Sequence, residues 1–140
     1  MTKRLLPVLI FLAALTFSGC SVPVDHNIKV RTLVKSGQSW DNAPLPPYPK
    51  GTPEITILRI TIPPESELPL HYHPVINAGV LLKGELTVVT EKQETLYLKA
   101  GDALIEVVDK WHYGRNKGNV PAEIIVFYAA AKGDEITVKK

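Results

Sequence analysis

The chain has 140 residues, 45% hydrophobic and 21% charged, which suits one globular domain and is too short for two separate cores. Its formal charge is +2, and Lys3 and Arg4 near the start account for that surplus, leaving the rest balanced. There is no basic cluster interleaved with aromatics, which argues against nucleic acid as a partner, and a single cysteine, Cys20, excludes an internal disulfide.

The first nineteen residues read as a signal peptide. Lys3 and Arg4 precede an apolar run over residues 5–17, broken only by Pro7 and Thr16. That run has the length of a signal-peptide core and is too short for a comfortable membrane span. Ser18, Gly19 and Cys20 follow. This ending resembles a bacterial lipoprotein box, although Phe17 stands where leucine is usual. The resemblance implies lipidation at Cys20, anchoring to the membrane from the periplasmic side, and, with Ser21 next, the outer membrane. Acyl chains contribute about 0.8 kcal/mol per buried methylene, so several together anchor stably. Cleavage as an ordinary soluble secreted protein is the alternative. His26 lies in the tether and reads as solvated.

Residues 20–53 read as a tether and proline-rich arm. Five prolines fall within residues 42–53, and each removes a backbone donor and restricts φ. Residues 28–34 are a candidate edge strand. From Glu54 to the end the pattern is β. Segments 54–62, 79–82, 85–91, 95–98, 103–108, 112–115 and 122–130 each read as a short strand between polar or glycine turns. In the first, Ile55 and Ile57 are out of phase with Ile60 and Ile62, which predicts a bulge near Leu58 and Arg59. No stretch has a helical period, so the expected class is all-β, a sandwich or barrel.

His71-Tyr72-His73 carries the chemical signal. Residues two apart on a strand share a face, so both imidazoles can converge on one ion. Taken alone, the pair is weak evidence, since two solvated histidines on an edge strand look the same. Further along come Gly101, Asp102, a strand, a turn, Trp111, His112 and Asn116. Ahead of them, His71 and His73 are followed by Asn77 and Gly84.

These two stretches, in this order, resemble the two motifs of the cupins, in the small single-domain bacterial group. The resemblance covers residues 54–132. It implies a double-stranded β-helix (jelly-roll) barrel over residues 54–140 with a divalent transition metal (Fe, Mn, Ni, Cu or Zn) inside, held by His71, His73 and His112. Three imidazoles leave coordination positions open.

Two departures stand out. Asn77 occupies the place of the family's glutamate ligand; it can coordinate, hydrogen-bond a metal-bound water, or do neither. Val107 and Asp109 replace a proline and a glycine in the turn before His112. Glu106, in an otherwise apolar strand, can restore the missing charge if it faces inward, as a ligand, an orienting group or a general base. By simple alternation it can equally face solvent. Tyr72 points opposite to its neighbouring histidines and reads as a packing residue; Trp111, Tyr113 and Tyr128 read as core or rim residues that could also line a pocket. Arg115 is a candidate for an anionic substrate or a plain surface residue.

Two functions follow. One is a metal-dependent, dioxygenase-like enzyme acting on a small organic molecule. The other is a non-catalytic metal or small-ligand carrier of the cell envelope, which a weaker site lacking the glutamate suits. A barrel without metal, serving as a scaffold, is disfavoured by the three histidines. A homodimer is a further expected partner state, through barrel edges or the arm.

Overall fold

The computed structural model describes residues 27–140. The chain divides after Val30, and residues 27–30 are exposed and without regular structure. Arg31–Lys140 is a β unit with no helix among the described residues. The candidate edge strand over residues 28–34 does not form. These residues carry no strand, and Leu33 and Val34 lie open to solvent.

Ten strands follow: β1 (Pro53–Ile62), β2 (Ser66–Glu67), β3 (His71–Tyr72), β4 (Ile76–Lys83), β5 (Glu85–Thr90), β6 (Thr95–Lys99), β7 (Ala103–Ile105), β8 (His112–Asn116), β9 (Ala122–Ala131) and β10 (Val138–Lys139). They form two antiparallel sheets. One runs β1-β9-β4-β7; the other runs β10-β3-β8-β5-β6, with β2 also on β8. This is an all-β jelly-roll, as the resemblance implied. The core between the sheets includes Ile62, Leu81, Leu86, Val88, Leu104 and Ile124.

β1 carries no bulge. Its register with β9 runs unbroken from Pro53↔Ala131 to Ile62↔Ala122. The apparent slip is a change in which face is apolar. Ile55 and Ile57 point outward and are exposed, whereas Ile62 points into the core. The irregularity lies instead in β4, between Leu81 and Lys83, where the register with β9 shifts. There Gly84 turns the chain into β5 with φ of 71°, and a Cβ on it would lie 2.7 Å from the Pro121 carbonyl oxygen. Only glycine fits both conditions.

The arm does more than cross the surface. Ser39 is buried, and its N–H donates to the Ala43 carbonyl. Asn42 completes this tight turn at φ 65°. The turn presses Trp40 against the core, and the Trp40 N–H donates to the Ile105 carbonyl at the end of β7.

Candidate metal centre

β3 and β8 are neighbours in the second sheet, with His71 directly opposite His112. His73 lies two residues beyond His71, on the same face, just past the end of β3. Its carbonyl accepts the Asp109 N–H at 2.9 Å. Strand alternation and one ladder pairing therefore bring three imidazoles together from distant stretches. Ring centroids are 4.9 Å apart for His71–His73, 4.5 Å for His71–His112 and 5.0 Å for His73–His112.

Each ring is oriented from behind by a backbone carbonyl. His71 Nδ1 meets Pro69 O at 2.7 Å, His73 Nδ1 meets Ile136 O at 2.9 Å, and His112 Nδ1 meets Lys110 O at 2.8 Å. A carbonyl oxygen only accepts, so Nδ1 must carry the proton in all three. Nε2 is then left with its lone pair. Burial pushes the His73 imidazole down to about 3, against the opposing pull of the Ile136 carbonyl. Burial lowers His71 as well. Both rings are thus neutral at pH 7, the form that binds metal. The three can offer ligand atoms that all lie within 4.8 Å of one another. This donor set fits a divalent transition-metal ion, with pre-set tautomers and neutral nitrogens.

The rings face a cavity of about 60 Å³ between the sheets, lined also by Asn77, Glu106, Tyr128 and apolar residues such as Leu86 and Val126. Asn77 is fully buried there. Glu106 faces inward, on the same side of its strand as Leu104. β7 ends at Ile105, short of the expected 103–108, but Glu106 still donates its N–H to the Asn77 carbonyl at 3.1 Å. Glu106 Oε1 lies 3.9 Å from His112 Nε2 and accepts the Trp40 indole N–H at 2.9 Å. Tyr128 is Asn77's ladder partner on the other side and packs edge-on against His73 at 5.3 Å. Burial raises its hydroxyl above the usual phenol value, so it stays protonated.

The remaining candidates lie elsewhere. Tyr72 stacks edge-on with Trp111 at 4.8 Å, and Tyr72 borders a separate groove of about 560 Å³ that none of the three histidines lines. Tyr113 and Arg115 alternate with His112 and Gly114, and so point away from the cavity. Asp109 adopts φ 54°, the conformation a glycine would take at ease and one aspartate tolerates better than most residues. Cys20 and His26 lie outside the described residues.

Sequence reasoning missed Trp40, Asp41 and Lys110. The Asp41 side chain is covered and pairs with Lys110, whose carbonyl orients His112. Burial alone would raise the Asp41 carboxyl, but hydrogen bonds from Lys110, Ser39 and the Ala43 N–H outweigh it and hold the group below the usual carboxylate value. The available signal was a tryptophan beside Ser39 and Asp41 in a polar turn, since a large aromatic there is a candidate anchor.

Among solved structures, the chain resembles an oxalate oxidase in complex with the substrate analogue glycolate, with a TM-score of 0.53 at 22% identity, over 61% of this chain and 45% of that one. DMSP lyase DddQ from Ruegeria pomeroyi DSS-3 gives 0.53 at 20%, over 61% and 43%. Oxalate decarboxylase from Bacillus subtilis, described by its Mn(II) centers, gives 0.52 at 22%, over 61% and 23%. The chain spans less than half the length of each of these proteins, and at such identity the likeness shows the fold alone. No curated protein matches the chain. The cupin domain model matches residues 58–128, just over half of the sequence, and with the jelly-roll around the three histidines this places the chain in the cupin family.

Proposed function

We propose that this cupin holds one divalent transition-metal ion on His71, His73 and His112 and acts on a small organic molecule in dioxygenase-like chemistry. The observation that carries this reading is the common tautomer of the three rings, which turns three Nε2 lone pairs into one enclosed space. A bound ion would supply Lewis acidity and open coordination positions. The chain's own residues would do the rest. Glu106 supplies a carboxylate to the cavity wall, the Tyr128 hydroxyl can donate a proton, and the apolar walls exclude bulk water. The cavity is small, about 60 Å³, which supports a substrate whose reacting part is a few atoms, such as a short carboxylic acid. The neighbouring oxalate oxidase with its glycolate supports that size class.

The test is oxygen uptake by protein loaded with Mn, Fe, Ni or Cu in turn, across short carboxylic acids, diketones and thiols. Turnover with one pair supports the enzyme reading. Tight ligand capture by calorimetry without product supports the second reading, a non-catalytic metal or small-ligand carrier. Asn77 favours that alternative, because a neutral amide holds metal less tightly than a carboxylate and permits exchange.

The chain is further proposed to be exported, with residues 1–19 removed, Cys20 lipidated and residues 20–53 linking the anchor to a barrel over residues 54–140. The order of Lys3 and Arg4, the apolar run and Ser18-Gly19-Cys20 supports this. A Cys20→Ala variant that stays in the membrane fraction would remove the anchor from the proposal. A second copy of the chain is proposed as a partner, since Ile57 and Phe127 are ladder partners exposed together on the outer face of β1 and β9. Light scattering decides the oligomeric state.

A further inference from the structure

We infer that Glu106 is a fourth, anionic ligand of the metal, supplied from the end of β7, and that the Trp40 indole positions its carboxylate. This rests on the three-histidine reading above. Three neutral imidazoles leave a divalent cation uncompensated inside a largely apolar cavity, where an unpaired charge is costly. Among the described residues, Glu106 is the one carboxylate lining that cavity. Its backbone bond to Asn77 and the adjoining ladder pair Ala78↔Ile105 put it directly across from Asn77. The negative charge missing at Asn77 is therefore present one strand over, on the same inner face.

Glu106 Oε1 is 3.9 Å from His112 Nε2, beside the three imidazoles whose ligand atoms converge within 4.8 Å of one another, so the carboxylate borders the ligand set and closes on an ion by turning about its side-chain bonds. The carboxylate is also aimed. Oε1 accepts from Trp40 Nε1 at 2.9 Å and from the Val107 N–H at 3.2 Å. An indole N–H can only donate, so it holds Oε1 in place, and with the Oε1 lone pairs taken up by Trp40 and Val107 it is Oε2 that keeps lone pairs for a metal. Trp40 itself is fixed by its backbone bond to Ile105 and by the neighbouring Asp41–Lys110 pair.

The experiment titrates Mn(II) into metal-free full-length protein, reading affinity by calorimetry and the ligand set by electron paramagnetic resonance. Glu106→Gln keeps the shape and an acceptor for Trp40 but removes the charge; it should weaken Mn(II) about 100-fold and change the zero-field splitting. Adding Asn77→Glu to Glu106→Gln should restore affinity to within about tenfold, by returning the charge across the ladder. Trp40→Phe should weaken binding about tenfold and broaden the spectrum while melting with a normal cooperative transition. If Glu106→Gln binds with the parent's affinity and spectrum while His112→Ala abolishes binding, Glu106 is no ligand and the histidine site survives. If His112→Ala also matches the parent, the three-histidine reading falls and the inference falls with it.

Discussion

The Trp40 indole N–H donates to Glu106 Oε1 at 2.9 Å, so a residue of the proline-rich arm reaches the wall of the cavity that faces the three histidines. Sixty-six positions separate the two residues, and the contact makes the arm part of the site's architecture.

Replacing His112 with alanine removes one convergent Nε2 and leaves a void beside His71. Bound metal, measured by elemental analysis after dialysis, should fall about tenfold or more. His112 is almost fully buried, so the variant should also melt lower, by about 2–4 kcal/mol of stability. Parental metal content would remove His112 from the ligand set.

Metal-free protein should lose stability as pH falls below neutrality. The His73 imidazole is held down to about 3 by burial, against 6.5 in the unfolded chain. Between those values the unfolded chain binds a proton that the folded one refuses. The contribution is therefore complete above about pH 6.5 and is lost as pH drops towards 3, on the order of 5 kcal/mol at most. Denaturant midpoints at pH 7.5 and 4.5 measure it. A His73→Leu variant, with no imidazole to titrate there, should show a shallower dependence; an equal slope would show that His73 is not buried as a neutral ring.

Gly84→Ala should cost about 2–4 kcal/mol, because the new methyl meets the Pro121 carbonyl at 2.7 Å and the backbone sits at φ 71°. Gly101→Ala, at φ 95° with nothing within 4 Å of its Cβ, should cost only about 1 kcal/mol. Thermal melts of the pair separate backbone strain from collision, and equal losses would show that the Pro121 contact is relieved without cost.

Asn116→Ala should destabilise by about 2–4 kcal/mol without changing metal affinity. The fully buried Nδ2 group shares its two hydrogens among the carbonyls of Ile62, Pro63 and Val120, at 3.1, 3.1 and 2.8 Å, and Oδ1 accepts from the Gly118 N–H at 2.9 Å. Truncation leaves those groups buried and unpaired. A drop in metal affinity matching the loss of stability would instead link Asn116 to the site.

The convergence of His71 and His73 was legible because its geometry is local, whereas His112 joined them only through the resemblance to a family motif. His71 and His73 share a face by strand alternation alone, and Gly84 announced a turn that only glycine can make. The bulge expected at Leu58 was a misreading of one strand whose outer face is apolar at Ile55 and Ile57; hydrophobicity marks faces, and here both faces carry it. Glu106 was open in the sequence because alternation puts it with Leu104 but does not say which side is the interior.

By itself the order of residues determined an all-β chain with its histidines paired on one side of a strand and a third imidazole after a turn. Those are consequences of dihedral preference and a two-residue period, and they act over a few residues. Only the tertiary structure decided that His112 stands opposite His71, that carbonyls of Pro69, Lys110 and Ile136 set the ring tautomers, and that Trp40 meets Glu106. These depend on which strands become neighbours, and that is settled by burying one shared core between two sheets, which no local pattern encodes.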